Sequence, residues 1–347
     1  MRAALELREL PVSDARWESF VAANRDALAF HRSCWSELLA DCYGHRPFVL
    51  AVLDGDDVAA GIPVIEIRAR RRPRWVSLPF TDACPPLLTP SVASDAFAAA
   101  LDATRSGAGI GAFEIRSAAQ AAAAHRRCVA VTHTTSLSAQ ADILLARFHR
   151  SQVQRNIRRA ERESKLTIRH AVRARDLTKT FYGLHLQTRR RLGMPVQPRR
   201  FFEALWSHVL APGHGWLLLA ETADHTPVAG AVFLGGTPTL TYKYGASDAH
   251  YWGLRPNHLL FWHALRRACE DGYESFDWGR TDLDDGGLRT FKSGWAADES
   301  SLVYTTFADA APRPGSGRAL AAARVVLRRS PPVACRLAGE LLYRYAA

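Results

Sequence analysis

The sequence lacks the marks of several classes of protein. It has no uninterrupted apolar run of the roughly 18 residues that a membrane-spanning helix needs, and its opening segment, MRAALELRELPVSDARWESF, has no apolar signal-peptide centre. We therefore expect a cytoplasmic protein. The six cysteines are scattered without a C-x-x-C pair, which supports neither a zinc site nor a disulfide framework, so no metal is expected. No serine lies in a G-x-S-x-G pattern and Cys84 lacks a nucleophile context, so covalent catalysis is disfavoured.

The composition is that of a folded chain with an anionic partner. With 347 residues, 48% of them hydrophobic and 23% charged, the chain can form two domains of ordinary size with buried cores. The formal net charge of +11 favours a nucleic acid, a phosphate-rich cofactor or an acidic membrane surface as the partner. Charge alone does not choose among these three.

The pattern of predicted elements occurs twice along the chain. Each half gives a strand, two helices, three strands, a helix, a strand, a helix and a final strand. The hairpins LAVLDGDDVAAGIPV and LAETADHTPVAGAVF are also alike. In the first half the segment AAQAAAAHRR is the last predicted helix, and a long helix over roughly residues 140–165 joins the halves. Such self-similarity indicates an internal duplication.

The densest pattern lies at residues 242–295. It contains YG at 244–245, PN at 256–257, FDWGR at 276–280 and GLRTFKSGW at 287–295. In this order and spacing, the segment resembles the C-terminal half of FemAB-like proteins, including the BioF2-like acetyltransferases of envelope and exopolysaccharide gene contexts. These proteins belong to the GNAT superfamily. The resemblance implies an α+β fold with a mixed sheet, built from two tandem GNAT-type (acyl-CoA N-acyltransferase-like) domains.

The repeat and the resemblance together predict four segments. These are an N-terminal GNAT-like domain (1–138), a basic linking helix (139–165), a C-terminal catalytic domain (166–308) and a basic amphipathic tail (309–347). In the tail, arginines lie among apolar residues in RALAAARVVLRR and VACRLAGELLYRYAA, as in helices that contact a membrane surface, here the inner membrane. The alternative is a tail packed back on its own domain.

The chemistry is expected to centre on Phe291 and Lys292. Acyl transfer to an amine needs a neutral amine, a carbonyl held close and stabilisation of the oxyanion, and the resemblance implies that Lys292 supplies a fixed cation. The alternative is a solvated lysine beside a core phenylalanine. Asp277 could accept a proton from the incoming ammonium, and Arg280 could hold a carboxylate or phosphate. The alternative is an internal ion pair of Arg280 with one of the aspartates at 282, 284 and 285.

Several further side chains are candidates for the substrate site. Tyr242 and Tyr244 are expected on one strand face, lining the acyl pocket, with Lys243 on the other; core tyrosines are the alternative. His258, at a helix start, is a candidate general base. Asp82 could bind the acceptor amine or cap a loop. The full set of substrate-binding candidates is Tyr242, Tyr244, Asn257, Arg280, Phe291 and Asp82.

The linking segment RFHRSQVQRNIRRAERESK carries arginines at helical spacing. We expect them on one broad helical face that attracts a tRNA backbone or another phosphate; the alternative is a solvated face partly neutralised by Glu161 and Glu163. The residues of this predicted stripe are Arg147, Arg150, Arg155, Arg158 and Arg162.

The sequence indicates the acyl donor and the amine acceptor less directly than it indicates the fold. A conventional GNAT protein binds the pyrophosphate of acyl-CoA with a [RQ]-x-x-G-x-[GA] loop, whereas this chain has GLRPNHLL there, in which Pro256 removes one N–H donor and no glycine pair follows. Aminoacyl-tRNA is therefore the favoured donor, with acyl-CoA or acyl carrier protein as the alternative, and no bound cofactor is expected. The acceptor is expected to be a small-molecule or lipid-linked amine of an envelope or secondary-metabolite precursor. A scaffold that binds RNA or a membrane without catalysis is the remaining hypothesis.

Overall fold

A computed structural model describes residues 5–68, 72–121, 124–163, 165–309 and 324–343. In the first half the helices are α1 (Ala15–Ala23), α2 (Ser33–Tyr43) and α3 (Ser94–Gly107). The strands of this half are β1 (Arg8–Leu10), β2 (Arg46–Asp54), β3 (Asp57–Ile67), β4 (Arg74–Val76), β5 (Leu87–Leu88), β6 (Ala112–Ile115) and β7 (His125–Ser136).

The second half repeats this arrangement after a helical connection made of α4 (Ala141–Arg147) and α5 (Arg155–Glu163). Its strands are β8 (Thr167–His170), β9 (Gly215–Glu221), β10 (Pro227–Gly235), β11 (Thr239–Ser247), β12 (Ser275–Thr281) and β13 (Asp298–Ala308). Its helices are α6 (Tyr182–Leu192), α7 (Arg199–Leu205), α8 (Pro256–Glu270) and α9 (Gly286–Ser293), and the C-terminal helix is Pro332–Leu342.

These strands join one mixed, 13-stranded sheet in the order β1-β2-β3-β4-β6-β13-β7-β12-β11-β10-β9-β8, with β5 beside β3. The parallel pairs β4–β6 and β11–β12 occupy equivalent places in the two halves. The last strands are exchanged, since β7 pairs with β12 of the second half and β13 pairs with β6 of the first. The predicted duplication and the mixed α+β sheet are therefore confirmed, and the exchange joins the halves in one sheet.

The helix predicted at AAQAAAAHRR is wrong. Residues 117–121 and 124 are irregular, and His125 already begins β7, whose first residues pair with β13. The backbone N–H of Ala119 donates to the Thr305 hydroxyl at 2.9 Å. Tertiary pairing with the other half thus outweighs the high helix propensity of alanine.

The single long helix predicted over roughly 140–165 is also wrong. The chain leaves the helical conformation at Phe148 and His149, between α4 and the helical segment that continues into α5. Phe148 is buried against Trp262 and Trp295, and the N–H of His149 donates to the carbonyl of Gly294. The His149 ring accepts the N–H of a residue in the next turn and so caps the following helical segment. The break between α4 and α5 therefore coincides with the burial of the Phe148 side chain.

Candidate active site

A pocket opens where the parallel strands β11 and β12 separate. They pair only over 239–241 and 275–277, although both strands continue further. The pocket between them has a volume of about 240 Å³ and is called the first pocket below. Its lining includes Tyr242, Ser247, Asn257, Phe261, Trp278, Leu288, Phe291 and Lys292.

The two tyrosines of β11 lie on opposite faces of the sheet, which corrects the prediction that they share one. A β-bulge inserts Lys243, so that Val232 of β10 pairs with Tyr244 while the next residue, Phe233, pairs with Tyr242. An inserted residue breaks the side-chain alternation of a strand. Tyr242 lines the first pocket, whereas Tyr244 packs in the core on the other face, against α7. The core-tyrosine alternative therefore describes Tyr244.

Lys292 is a buried lysine, so the alternative of a solvated side chain does not apply. The residue is 2% exposed, and its ammonium donates to the backbone oxygens of Gly279 at 2.8 Å and Arg280 at 3.1 Å. Burial lowers the pKa of Lys292 to about 8, and the carboxylates of Asp82 and Asp277 limit this shift. A mostly charged ammonium is thus fixed at the edge of the first pocket at neutral pH.

Asp82, from the other half of the chain, lines the second cavity with Lys292 and interacts with its charge. It lies in the loop between β4 and β5, and its Oδ2 accepts the N–H of Arg280 at 3.3 Å. Burial by itself raises the pKa of Asp82, but Lys243, the N–H of Arg280 and Lys292 outweigh it and hold that pKa below its usual value. Asp82 is therefore ionised at neutral pH.

Asp277 lies on β12, two residues before Gly279. Its Oδ1 accepts the N–H of Gly279 at 2.8 Å and the hydroxyl of Thr132 at 3.3 Å. Burial raises the pKa of Asp277 to about 6, against the opposing effect of the Gly279 N–H, and the neighbouring Asp82 adds to the increase. Asp277 is not among the residues that line the cavities beside Lys292, so its effect on the site runs through the charges of its neighbours.

Gly279 allows these groups to approach each other. Its φ is +67°, a conformation that residues with a Cβ rarely adopt. A Cβ added there would also lie 2.8 Å from Oδ2 of Asp82. The carbonyl of the same glycine accepts a hydrogen bond from the ammonium of Lys292. One residue without a side chain thus brings the cation and the carboxylate into a single cluster.

Lys243, for which the sequence suggested no role, belongs to the same cluster. Its Nζ donates to the carbonyl of Phe80 at 2.7 Å and lies 5.0 Å from the centre of the Phe30 ring. Burial lowers the pKa of Lys243, and Asp82 opposes the shift. A lysine between two tyrosines of a predicted strand was the available signal, since lysine is rarely buried without a partner.

A second, larger cavity lies on the other side of Lys292. Its volume is about 790 Å³, and it is lined by residues of both halves and of the C-terminal segment, among them Asp82, Arg116, Arg189, Lys243, Tyr244, Arg324 and Tyr343. Tyr242, Trp278, Leu288 and Lys292 line both this second cavity and the first pocket. Lys292 therefore stands between a small pocket and a large, charged cavity.

The other predicted substrate residues are partly brought together. Asn257 and Phe291 line the first pocket. Arg280 lines the second cavity, and its guanidinium pairs with Asp282 at 3.0 Å, as the alternative of an internal ion pair expected. His258 lines neither space; its Nε2 lies 3.1 Å from a backbone carbonyl, and burial lowers its pKa to about 4. The catalytic role of His258 therefore stays a prediction without geometric support.

Three of the five arginines of the predicted stripe line one depression. Arg155, Arg158 and Arg162 do so, together with Arg159 and Arg255, in a volume of about 570 Å³. The other two, at 147 and 150, do not belong to this lining. Instead, the guanidinium of Arg147 donates to the carbonyl of Ser136 at 2.9 Å. We call the depression that the five arginines line the basic depression.

The basic depression and the first pocket both have a lining residue at the start of α8. Arg255 immediately precedes α8, and its Nε donates to Oδ1 of Asn156 at 3.1 Å. Asn257, two residues later, lines the first pocket. Both spaces thus have a lining residue at the N-terminus of α8, where the helix dipole favours negative charge.

The two duplicated halves and the pocket between separating parallel strands are consistent with a GNAT-type fold. Residues 147–293 match the family model "Acetyltransferase (GNAT) domain". The predicted fold of tandem GNAT-type domains is confirmed, and the match to an acetyltransferase domain falls on the linking segment and most of the second half.

Solved structures of low sequence identity share the fold. The crystal structure of FemX is 16% identical, with a TM-score of 0.72, over 87% of this chain and 97% of that one. A tandem GNAT protein from the clavulanic acid biosynthesis pathway is 12% identical (TM-score 0.54), over 89% of this chain and 100% of that one. The C-terminal domain of a putative lysylphosphatidylglycerol synthetase from Agrobacterium fabrum is 14% identical (TM-score 0.54), over 90% and 95%. A comparison with curated protein sequences gave no match.

The described part of the chain has neither a cluster of metal ligands nor a membrane-spanning helix. Within it, no group of three or more histidine, cysteine, aspartate or glutamate side chains is placed to hold a metal ion. Likewise, none of the helices in the described ranges has the length and apolar character needed to span a membrane.

Proposed function

We propose that this protein transfers an aminoacyl group from aminoacyl-tRNA to the amine of an envelope or secondary-metabolite precursor. The observation that carries the proposal is the position of Lys292, a buried ammonium between the first pocket and the second cavity. A donor carbonyl in the pocket and an acceptor amine in the cavity would meet beside it.

The residues suggest how the reaction would proceed. Asp82 lines the second cavity and is ionised, so it would hold the acceptor ammonium and take one proton from it. The neutral nitrogen would attack the carbonyl carbon, and Lys292 would stabilise the oxyanion. The C–O bond of the ester would then break; the nitrogen loses its second proton and the leaving tRNA hydroxyl gains one. The products are an amide and uncharged tRNA.

The basic depression supports a nucleic acid as donor. Its lining contains five arginines and one carboxylate, Glu163, which is already paired with Arg159 at 2.9 Å. Phosphates of a tRNA backbone would replace the counterions of such a surface without any reading of sequence. The start of α8 has proline at its first position and lacks the glycine pair of an acyl-CoA loop.

The charges of the second cavity suggest what kind of amine is accepted. Seven arginine and lysine residues line it, against four aspartates. An acceptor that carries a phosphate or carboxylate near its amine would balance this excess, with the ammonium at Asp82. Arg189 of α6 and Arg328 of the C-terminal segment both line the cavity and are suited to the anionic group.

Acyl transfer from acyl-CoA or acyl carrier protein is the second candidate, because part of the first pocket is apolar. Leu260, Phe261, Leu288 and Phe291 line it, and such a surface would receive a short acyl chain.

The experiment that separates the two candidates is to incubate the purified protein and a panel of phosphorylated amines separately with charged tRNA, acyl-CoA and acyl carrier protein. Consumption of charged tRNA alone, abolished by RNase, supports the proposal; RNase-resistant consumption of an acyl thioester overturns it in favour of the second candidate.

Gly279→Ala should strongly lower the activity of the protein. The new Cβ would displace Asp82 from the cluster, and we expect kcat/KM to fall by roughly 100-fold. Gly109→Ala is the matched control, because Gly109 has a similar φ of +68° but no atom within 4 Å of an added Cβ. Both variants should lose about 1 kcal/mol of unfolding free energy from the left-handed backbone. Equal activity of the two variants in a transfer assay would contradict the role given to this contact.

The activity should fall as the pH rises through about 8, since Lys292, whose pKa is about 8, loses its proton there. Lys292→Arg should move this alkaline limb to higher pH, because arginine stays charged. Asp277→Asn should move it to lower pH, because the carboxylate of Asp277 supports the charge on Lys292. The measurement is kcat/KM against pH for the three proteins. An alkaline limb that is the same in all three would assign it to another group.

A further inference from the structure

The C-terminal helix packs on the second half through its small residues. Gly339 lies so close to Val196 that an added Cβ would overlap the Val196 carbonyl oxygen. Cys335 is buried, and its thiol donates to the carbonyl of Met194 at 3.0 Å. The hydroxyl of Tyr343 accepts a hydrogen bond from the Arg189 guanidinium at 3.0 Å. The described part of the tail is thus held in one position on the domain.

The outward face of this helix is apolar. Val333, Leu337 and Leu341 follow each other at intervals of four residues, which places them on one side of the helix. Their exposed fractions are 54%, 54% and 69%. A helix on the surface of a globular protein normally turns its large apolar residues inwards and its polar residues outwards. Here the small residues face the core and the large aliphatic ones face outwards.

The segment that carries this apolar face is rich in arginine, although Arg324 and Arg328 also line the second cavity. Residues 324–343 contain arginines at 324, 328, 329 and 336, and their one carboxylate, Glu340, pairs with Arg200 at 3.3 Å. Val325 and Val326, also exposed, precede two of these arginines. Exposed aliphatic residues mixed with arginines are typical of segments that lie in the headgroup region of an anionic bilayer.

We propose that residues 324–343 dock onto an anionic phospholipid surface through Val333, Leu337 and Leu341. The positive charge of this segment favours a lipid surface over a second copy of the chain, because a dimer formed through this face would bring the arginines of two copies close together. Arg324 and Tyr343 also line the second cavity, so docking places that cavity beside the lipid headgroups. The identity of the acceptor rests on the proposed function. If that function holds, the acceptor is an amine carried by a lipid with an anionic headgroup.

The test is sedimentation of the full-length protein with vesicles of phosphatidylcholine alone or mixed with phosphatidylglycerol. We expect binding to the mixed vesicles only, weakened by salt, and reduced about tenfold or more in a Leu337→Ser, Leu341→Ser variant. Ile143→Ser, Val172→Ser is the matched control, since those side chains are 53% and 73% exposed on other surfaces. The control should bind like the wild type.

Equal binding by both double variants, or equal binding to both kinds of vesicle, would overturn the docking proposal. A wild-type dimer that the Leu337→Ser, Leu341→Ser variant loses would also overturn it, in favour of a second copy. Donor consumption with a soluble amine should be the same in both variants. If the wild type consumes no donor, the proposed function fails while the vesicle measurement still decides the docking.

Discussion

Lys292→Met should lower kcat for acyl transfer by about 100- to 1000-fold, the usual effect of removing one group that stabilises an oxyanion. Methionine keeps the length and apolar contacts of the side chain but removes the charge. Since the ammonium lies at the junction of the first pocket and the second cavity, KM for the donor should change little. Steady-state kinetics over a range of donor concentrations would measure both constants.

Lys179→Met is the control for this variant, because Lys179 is exposed on the helical connection into α6. It should retain wild-type kcat. Thermal unfolding of both variants separates loss of activity from loss of fold. Retention of kcat in a folded Lys292→Met protein would contradict the role given to the ammonium, and loss of kcat in Lys179→Met would show that the assay responds to any lost lysine.

Replacing Arg155, Arg158 and Arg162 together with alanine should weaken the binding of charged tRNA by about 100-fold and leave kcat at saturation nearly unchanged. Each lost phosphate contact should also reduce the slope of log affinity against log salt by about one. These three arginines line the basic depression, whose lining does not include Lys292. Filter binding of tRNA over a range of salt concentrations would measure the affinity and the slope.

The control for the triple variant removes the same charge elsewhere. Arg8, Arg126 and Arg127 are exposed on strands of the first half. Their replacement with alanine should change tRNA affinity by less than about threefold, the effect of net charge alone. An equal loss in both triple variants would mean that tRNA responds to the overall charge and not to the depression.

Much of the fold could be predicted because local hydrophobic patterns and turn residues indicate the duplicated element order. The hairpins, α8 with its first-turn proline, and the FDWGR strand all form as expected. The exchange of β7 and β13 could not be predicted, since pairing between distant strands leaves no local pattern. The failed helix at AAQAAAAHRR has the same cause, because β13 draws the end of this segment into the sheet.

The site shows the same division. Lys292, Phe291 and Asn257 could be found because they belong to one contiguous motif, and all three lie around the first pocket. The faces of the two tyrosines of β11 were wrongly assigned because strict alternation of side chains along a strand does not account for a bulge, here the inserted Lys243. The hydrogen bond from the N–H of Arg280 to Asp82 depends on a loop of the other half, and no local sequence pattern predicts such a contact.

A crystal structure with a stable, amide-linked analogue of the aminoacylated 3′ end of tRNA would test the central claim most directly. We expect the analogue's carbonyl oxygen in the first pocket, within about 3 Å of the Lys292 ammonium, a distance that allows oxyanion stabilisation. We also expect its phosphates to point towards the basic depression. A carbonyl bound outside the first pocket, beyond hydrogen-bond reach of Lys292, would contradict the proposed role of Lys292.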